Sequence, residues 1–236
     1  MHDKQRFMLY QGCFLIISFC LLLVCFPVGG SLDLALIHPW VSSSGKFLLR
    51  DNWYLAELNH RYVKELIILV YASFLIIWLG SFKFEKLKPL RWNYGYFFFL
   101  VILSTSIIGL LKSHSAHACP WNITIPTTQG FFWDFSATQG HCFPGGHAST
   151  GFALMAGFFV FRRSDKKRAY FFLISGFILG FAMGWGQMMR GAHFLSHNLW
   201  TAWIIWLVNV SFYLLNYKRF GLSQITNTSA QTSQQQ

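Results

Sequence analysis

Charge is what this chain has least of. Only 11% of its 236 residues are charged, against 54% hydrophobic, and Phe alone occurs 26 times. A soluble domain usually carries about 25% charged residues, so there are too few here to coat a water-exposed globule. Acids are the scarcest: 8 Asp and Glu stand against 19 Lys and Arg, for a net charge of +11. That imbalance suggests nucleic acid at first sight. Lys and Arg also gather in the cytoplasmic loops of membrane proteins, because they resist translocation. For a basic chain built of apolar blocks that is the better account, and no nucleic-acid partner is expected. No internal repeat at solenoid spacing is present. The first apolar block follows Lys4 and Arg6 but lacks a small-x-small cleavage site, so it reads as an uncleaved anchor rather than a signal peptide.

What the chain does have is a series of apolar blocks, each near the roughly 20 residues that cross a hydrocarbon core. They predict an all-α fold, a polytopic membrane helix bundle of six transmembrane helices. The expected spans are about 11–27, 65–82, 94–111, 147–163, 169–189 and 198–216. Residues 31–62 read as an extramembrane loop with Trp40, Trp53 and Tyr54 at headgroup depth. Residues 1–222 are expected to form a single membrane domain. The tail 223–236, rich in Ser, Thr, Gln and Asn, is expected to be a disordered cytoplasmic segment.

Six spans put both termini on one side, together with the loops around 83–91 and 162–168. That side collects 13 of the 19 Lys and Arg, so both termini are expected in the cytoplasm. The segments 31–62, 112–147 and 190–197 then share the outer face. The compactness of the chain suggests a bacterial inner (cytoplasmic) membrane protein whose outer face is periplasmic.

Two of those outer segments hold most of the histidines. Polar residues at the rim of an apolar bundle are costly and mark function by default. The first stretch runs from Lys112 to Pro120 and carries His114, His117 and Cys119; a Lys there can also simply snorkel. The second is Phe143-Pro144-Gly145-Gly146-His147, leading into the fourth span. A helix N-terminus after glycines offers free N–H groups and a positive dipole end to a phosphate, though an ordinary turn is equally compatible. The third is Gln187-Met188-Met189-Arg190-Gly191-Ala192-His193-Phe194-Leu195-Ser196-His197. Its Arg190, His193 and His197 share one face if the segment is helical.

Together these stretches resemble the signature of the type-2 phosphatidic acid phosphatase superfamily, membrane phosphatases of lipid phosphates. That signature has Lys, then Arg-Pro after six intervening residues, then Pro-Ser-Gly-His, then Ser-Arg with His six residues after the Arg and Asp four after the His. Here Cys119 stands at the first Arg and Gly145 at the Ser. Two registers fit the third motif. With His197 as nucleophile, Arg190 falls one residue out of place and Thr201 stands at the Asp. With His193 as nucleophile, Gly186 and Gln187 stand at Ser-Arg and His197 at the Asp. The small residues before His193 favour the second register.

The resemblance implies covalent catalysis. His193 attacks phosphorus, forming a phosphohistidine, and His147 protonates the leaving oxygen and then activates water. His197 stands where the orienting carboxylate belongs. Lys112, Gly145, Gly146, Gln187 and Arg190 hold the phosphate. No metal or cofactor is called for. The implied substrate is a membrane lipid phosphate or diphosphate, of the undecaprenyl diphosphate, lipid A or phosphatidylglycerophosphate type. Lipid-to-lipid phosphotransfer, or binding of a lipid phosphate without turnover, stays open.

His114, His117, Cys119, His141, Cys142 and His147 also make a conceivable zinc set, but they follow no compact zinc spacing. Cys119 and Cys142 both fall on the outer side, where disulfides persist, and are expected to pair. Cys13, Cys20 and Cys25 read as core thiols of the first span. Asp134, the only acid between the third and fourth spans, is a candidate to orient a histidine.

Overall fold

The computed structural model describes residues 2–138 and 140–220. The expected disordered tail lies outside them. Among the described residues, five helices are long and apolar enough to cross a membrane. They are α1 (His2–Cys25), α3 (Tyr54–Gly80), α4 (Arg91–Ser113), α6 (Lys166–Met189) and α7 (Leu195–Leu215). A short α2 (Ser31–Ile37) follows α1. The expected fourth span is α5 (Gly146–Phe161), a shorter apolar helix with a 3₁₀ turn at Ala153–Met155. At 1.5 Å per residue it is only about 24 Å long.

Polarity and position go together. The most apolar helix, α1, buries 11% of its apolar window inside the protein, and the least apolar, α7, buries 44%. Lipid-facing surface must be apolar, whereas a helix enclosed by others can carry polar and small residues. α5 is the enclosed one. Ala148, Phe152, Ala153, Met155, Ala156 and Phe159 are fully buried among α4, α6 and α7. Its contact with α6 is backbone on backbone: a Cβ on Gly151 would lie 2.4 Å from the Gly180 nitrogen.

Three readings of the sequence need correction. The second long helix begins at Tyr54 rather than near Glu65, through a π-helical stretch Tyr54–Val63. Its Glu57, Asn59, His60 and Arg61 make it look like a loop. In fact Asn59 and His60 turn inward, while Arg61 pairs with Glu57 and Glu65 along the helix. The segment between α4 and α5 also holds a small antiparallel hairpin, β1 (Thr124–Thr127) with β2 (Gly130–Trp133), beside the otherwise helical fold. Finally, Cys13, Cys20 and Cys25 are exposed on the surface of α1 rather than buried in a core.

At one end of the bundle Asp3 Oδ2 accepts hydrogen bonds from Arg163 Nη2 (3.2 Å) and Tyr217 Oη (2.7 Å). This joins the start of α1, the α5–α6 turn and the end of α7. The histidine motifs lie at the opposite end, at the end of α4 and the starts of α5 and α7.

The Gly151–Gly180 contact leaves no room for a methyl group. Gly151→Ala should lower thermal stability in detergent by an amount typical of overpacking, about 1–3 kcal/mol. Gly109→Ala, on an open face of α4 with nothing within 4 Å, should be neutral or stabilising by up to about 1 kcal/mol.

Candidate active site

The α6–α7 connection delivers His193. α6 ends in a Schellman turn: Gly191 N donates to Met188 O (2.9 Å) and Ala192 N to Gln187 O (2.9 Å), with Gly191 left-handed at φ +80°. A side chain at Gly191 would be strained there and would strike Phe47 at 2.5 Å. His193 follows at 3% exposure, and its Nδ1 lies 3.4 Å from Nδ1 of the fully buried His197 in the first turn of α7. The Cys142 carbonyl adjoins both rings.

The second motif is tied to the same turn of α7. Gly145 N donates to His197 O (3.3 Å), and Thr201 Oγ1 lies 2.8 Å from His197 O and 3.2 Å from Gly145 O. The Gly145 N–H is therefore already engaged. α5 starts at the next residue and carries His147 in its first turn. The stem of Lys112, from the last turn of α4, lies across this helix start: a Cβ on Gly146 would be 3.3 Å from Lys112 Cδ. Cys119 and Cys142 form a disulfide, Cα–Cα 5.1 Å, that ties the loop after α4 to the loop before α5.

Lys112, His147, His193 and His197 thus converge at one end of the bundle, with Gly145 and Gly146 between them. Arg190 and Gln187 form a pair beside this group: Arg190 Nη1 meets Gln187 Oε1 at 3.4 Å, while its Nε donates to the Arg50 carbonyl at 2.7 Å. Gln187 Nε2 is buried with no partner among the described residues. Asp134 does not serve a histidine. Its Oδ1 accepts from the backbone and hydroxyl of Ser136. His114, His141 and the paired cysteines gather no cation-type cluster among the described residues.

Four residues of the site were not legible in the motifs. His60, on α3, lies against His147 with ring centroids 3.7 Å apart and planes tilted by 33°. Asp33, on α2, is 3% exposed and caps α7 from a distance, accepting from Ser196 N (2.9 Å), Ser196 Oγ and Gly29 N (2.9 Å). Burial pushes its carboxyl up, and the Ser196 hydrogen bonds oppose that. The other two are asparagines that explain the glycines. A Cβ on Gly145 would lie 2.6 Å from Asn198 Oδ1, and one on Gly186 would lie 2.5 Å from Asn59 Nδ2. Both positions where the signature has Ser are filled from outside by an Asn amide. No local signal could have found these pairs, which are far apart in sequence.

A helical membrane protein with a buried His pair, a Lys and a glycine-led helix start at one end defines a class: a membrane enzyme built to meet an anion. The chain matches the PAP2 superfamily over residues 93–220, more than half of its length, and it belongs to that superfamily. Members are phosphatases, so its chemistry is hydrolysis of a phosphate ester. No curated protein and no solved structure matches it.

Two outcomes follow. Gly145→Ser alone should overpack the site and cut turnover, and Asn198→Ala in the same chain should restore it at least in part; restoration shows as non-additive kcat and Tm. Burial first, and then the neighbouring His197, hold His193 well below the usual imidazole value. His193 therefore stays neutral as pH falls through 6.5, the ordinary value. Any acid limb of kcat/KM from this residue should lie well below that pH.

Proposed function

We propose that this protein is a membrane lipid phosphate phosphatase that works through a phosphohistidine on His193. The observation that carries the reading is the convergence of Lys112, His147 and His193 at the start of α5. His193, neutral and buried, attacks phosphorus. His147 gives its proton to the leaving oxygen and then takes one from the attacking water. Lys112 neutralises charge on the phosphoryl oxygens, with the Gly146 end of α5 facing the same space. Arg190 adds positive potential close by, from its pair with Gln187. His60, packed against His147, restrains that ring.

The reading extends to topology. Residues 1–222 form one membrane domain crossing six times, with α5 as a short crossing shielded by its neighbours. Most Lys and Arg lie at the end opposite the site, so the positive-inside rule places the site at the outer face and both termini in the cytoplasm. In a bacterium that face is periplasmic. The substrates reached there are lipid phosphates and diphosphates of the outer leaflet.

The test is phosphate release by the detergent-purified protein from undecaprenyl diphosphate, phosphatidylglycerophosphate, phosphatidic acid and lipid A, with a second lipid supplied as acceptor in parallel. At least one should be hydrolysed. His193→Ala and His147→Ala should each lower kcat by at least about a hundredfold. Equal turnover in His193→Ala, or phosphate recovered only on the acceptor lipid, would overturn the assignment.

A further inference from the structure

The His197 ring faces two ways. Its Nδ1 meets His193 Nδ1 at 3.4 Å, while its Nε2 is buried with no hydrogen-bond partner among the described residues. The side chain is 0% exposed. His197 also lines a cavity of about 230 Å³, together with His117, Phe194, Phe135, Ala137 and Thr138, among others. Its rim at His117 and Thr138 is exposed, and its floor at Phe194 and His197 is buried. A liquid water occupies about 30 Å³, so several fit. A buried imidazole with one nitrogen on His193 and the other unpartnered, in a side chain that lines a solvent-facing cavity, can join the two.

Tautomers follow from the geometry. For His193 to attack through Nε2 its lone pair must be there, so Nδ1 carries the hydrogen. That N–H donates to His197 Nδ1, which must then be the acceptor. His197 therefore carries its hydrogen on Nε2, the nitrogen left without a protein partner.

We propose that His197 is a proton relay connecting His193 to solvent through this cavity. A carboxylate at that position would hold the proton in place; an imidazole passes it on. The inference rests on His193 being the nucleophile. As the His193 Nε2–P bond forms and the ester P–O bond breaks, the leaving oxygen takes a proton from His147. The His193 Nδ1 proton moves to His197 Nδ1, and the His197 Nε2 proton leaves to cavity water. His197 ends as the opposite neutral tautomer. The phosphorylated ring is then uncharged, which lowers repulsion from Lys112. In the second half water attacks phosphorus, the N–P bond breaks, His147 takes the water proton, and the relay runs backwards to return hydrogen to His193 Nδ1.

The decisive measurement is chemical rescue of detergent-purified protein. His197→Ala should lose about a hundredfold or more in kcat, and added imidazole, small enough for the cavity, should restore at least tenfold of it with KM unchanged. Adding Ala137→Leu, which fills the cavity, should abolish the rescue. No gain with imidazole, or rescue that survives Ala137→Leu, would sink the relay. Nitrogen-15 spectra of labelled histidine provide an arm independent of turnover. They should show His193 protonated on Nδ1 and His197 on Nε2, and the reverse assignment overturns the proposal. If the wild type releases no phosphate from any lipid, the phosphatase reading fails, and the spectra still decide the relay.

Discussion

The site depends on one local constraint: the first turn of α7 is hydrogen-bonded to the backbone of Gly145. His197 O and Thr201 Oγ1 engage the Gly145 N–H and C=O. Those bonds bring the residue before α5 against the residues that begin α7, and so bring His147 towards His193. In the apolar interior of a membrane protein an unpaired peptide group costs several kcal/mol. The tether is therefore more than alignment, because it satisfies groups that have no water to turn to. Asp33 acts in the same way from the other side, capping the free N–H at Ser196 with a carboxylate from α2.

Around that tether the chain departs from its family's signature in a consistent manner. Two small positions are Gly instead of Ser, and each is filled by an Asn amide from another helix, Asn198 at Gly145 and Asn59 at Gly186. The Arg of the first motif is replaced by Cys119, whose disulfide to Cys142 ties the loop after α4 to the loop before α5. Arg190 stands beside the histidines, held by Gln187 and the Arg50 carbonyl. The Asp is replaced by His197, which keeps a hydrogen-bonding partner on His193 but changes it from an anion to a neutral, two-sided group. A site with fewer fixed charges and more buried imidazoles tolerates a low dielectric better, because burying an unpaired ion is far more costly than burying a neutral ring.

The first long helix, α1, contributes little to this chemistry and much to shape. It packs on α7 and is locked at the opposite end by the Asp3, Arg163 and Tyr217 contacts. α3 is different. Its π-helical start places Asn59 against Gly186 and His60 over His147, so an element that reads as a loop is part of the site. π-Helical turns recur at functional sites because they redirect side chains that a regular helix would turn elsewhere.

By itself the sequence determined the membrane-helix class, the position of most helices to within a few residues, and the three stretches from which the site is built. Hydropathy and short motifs are local properties, and a run of apolar residues must be buried or in lipid whatever surrounds it. It also favoured His193 over His197 as nucleophile from the small residues just before it. Only the tertiary structure decided what stands behind those motifs: that α5 is short and enclosed, that α3 starts at Tyr54, that His60 faces His147, and that Asn59, Asn198 and Asp33 complete the site. Each of these rests on a contact between residues distant along the chain. Whether a glycine is a turn, a flexible joint or a seat for another helix's amide depends on its neighbour in space, and no local pattern carries that information.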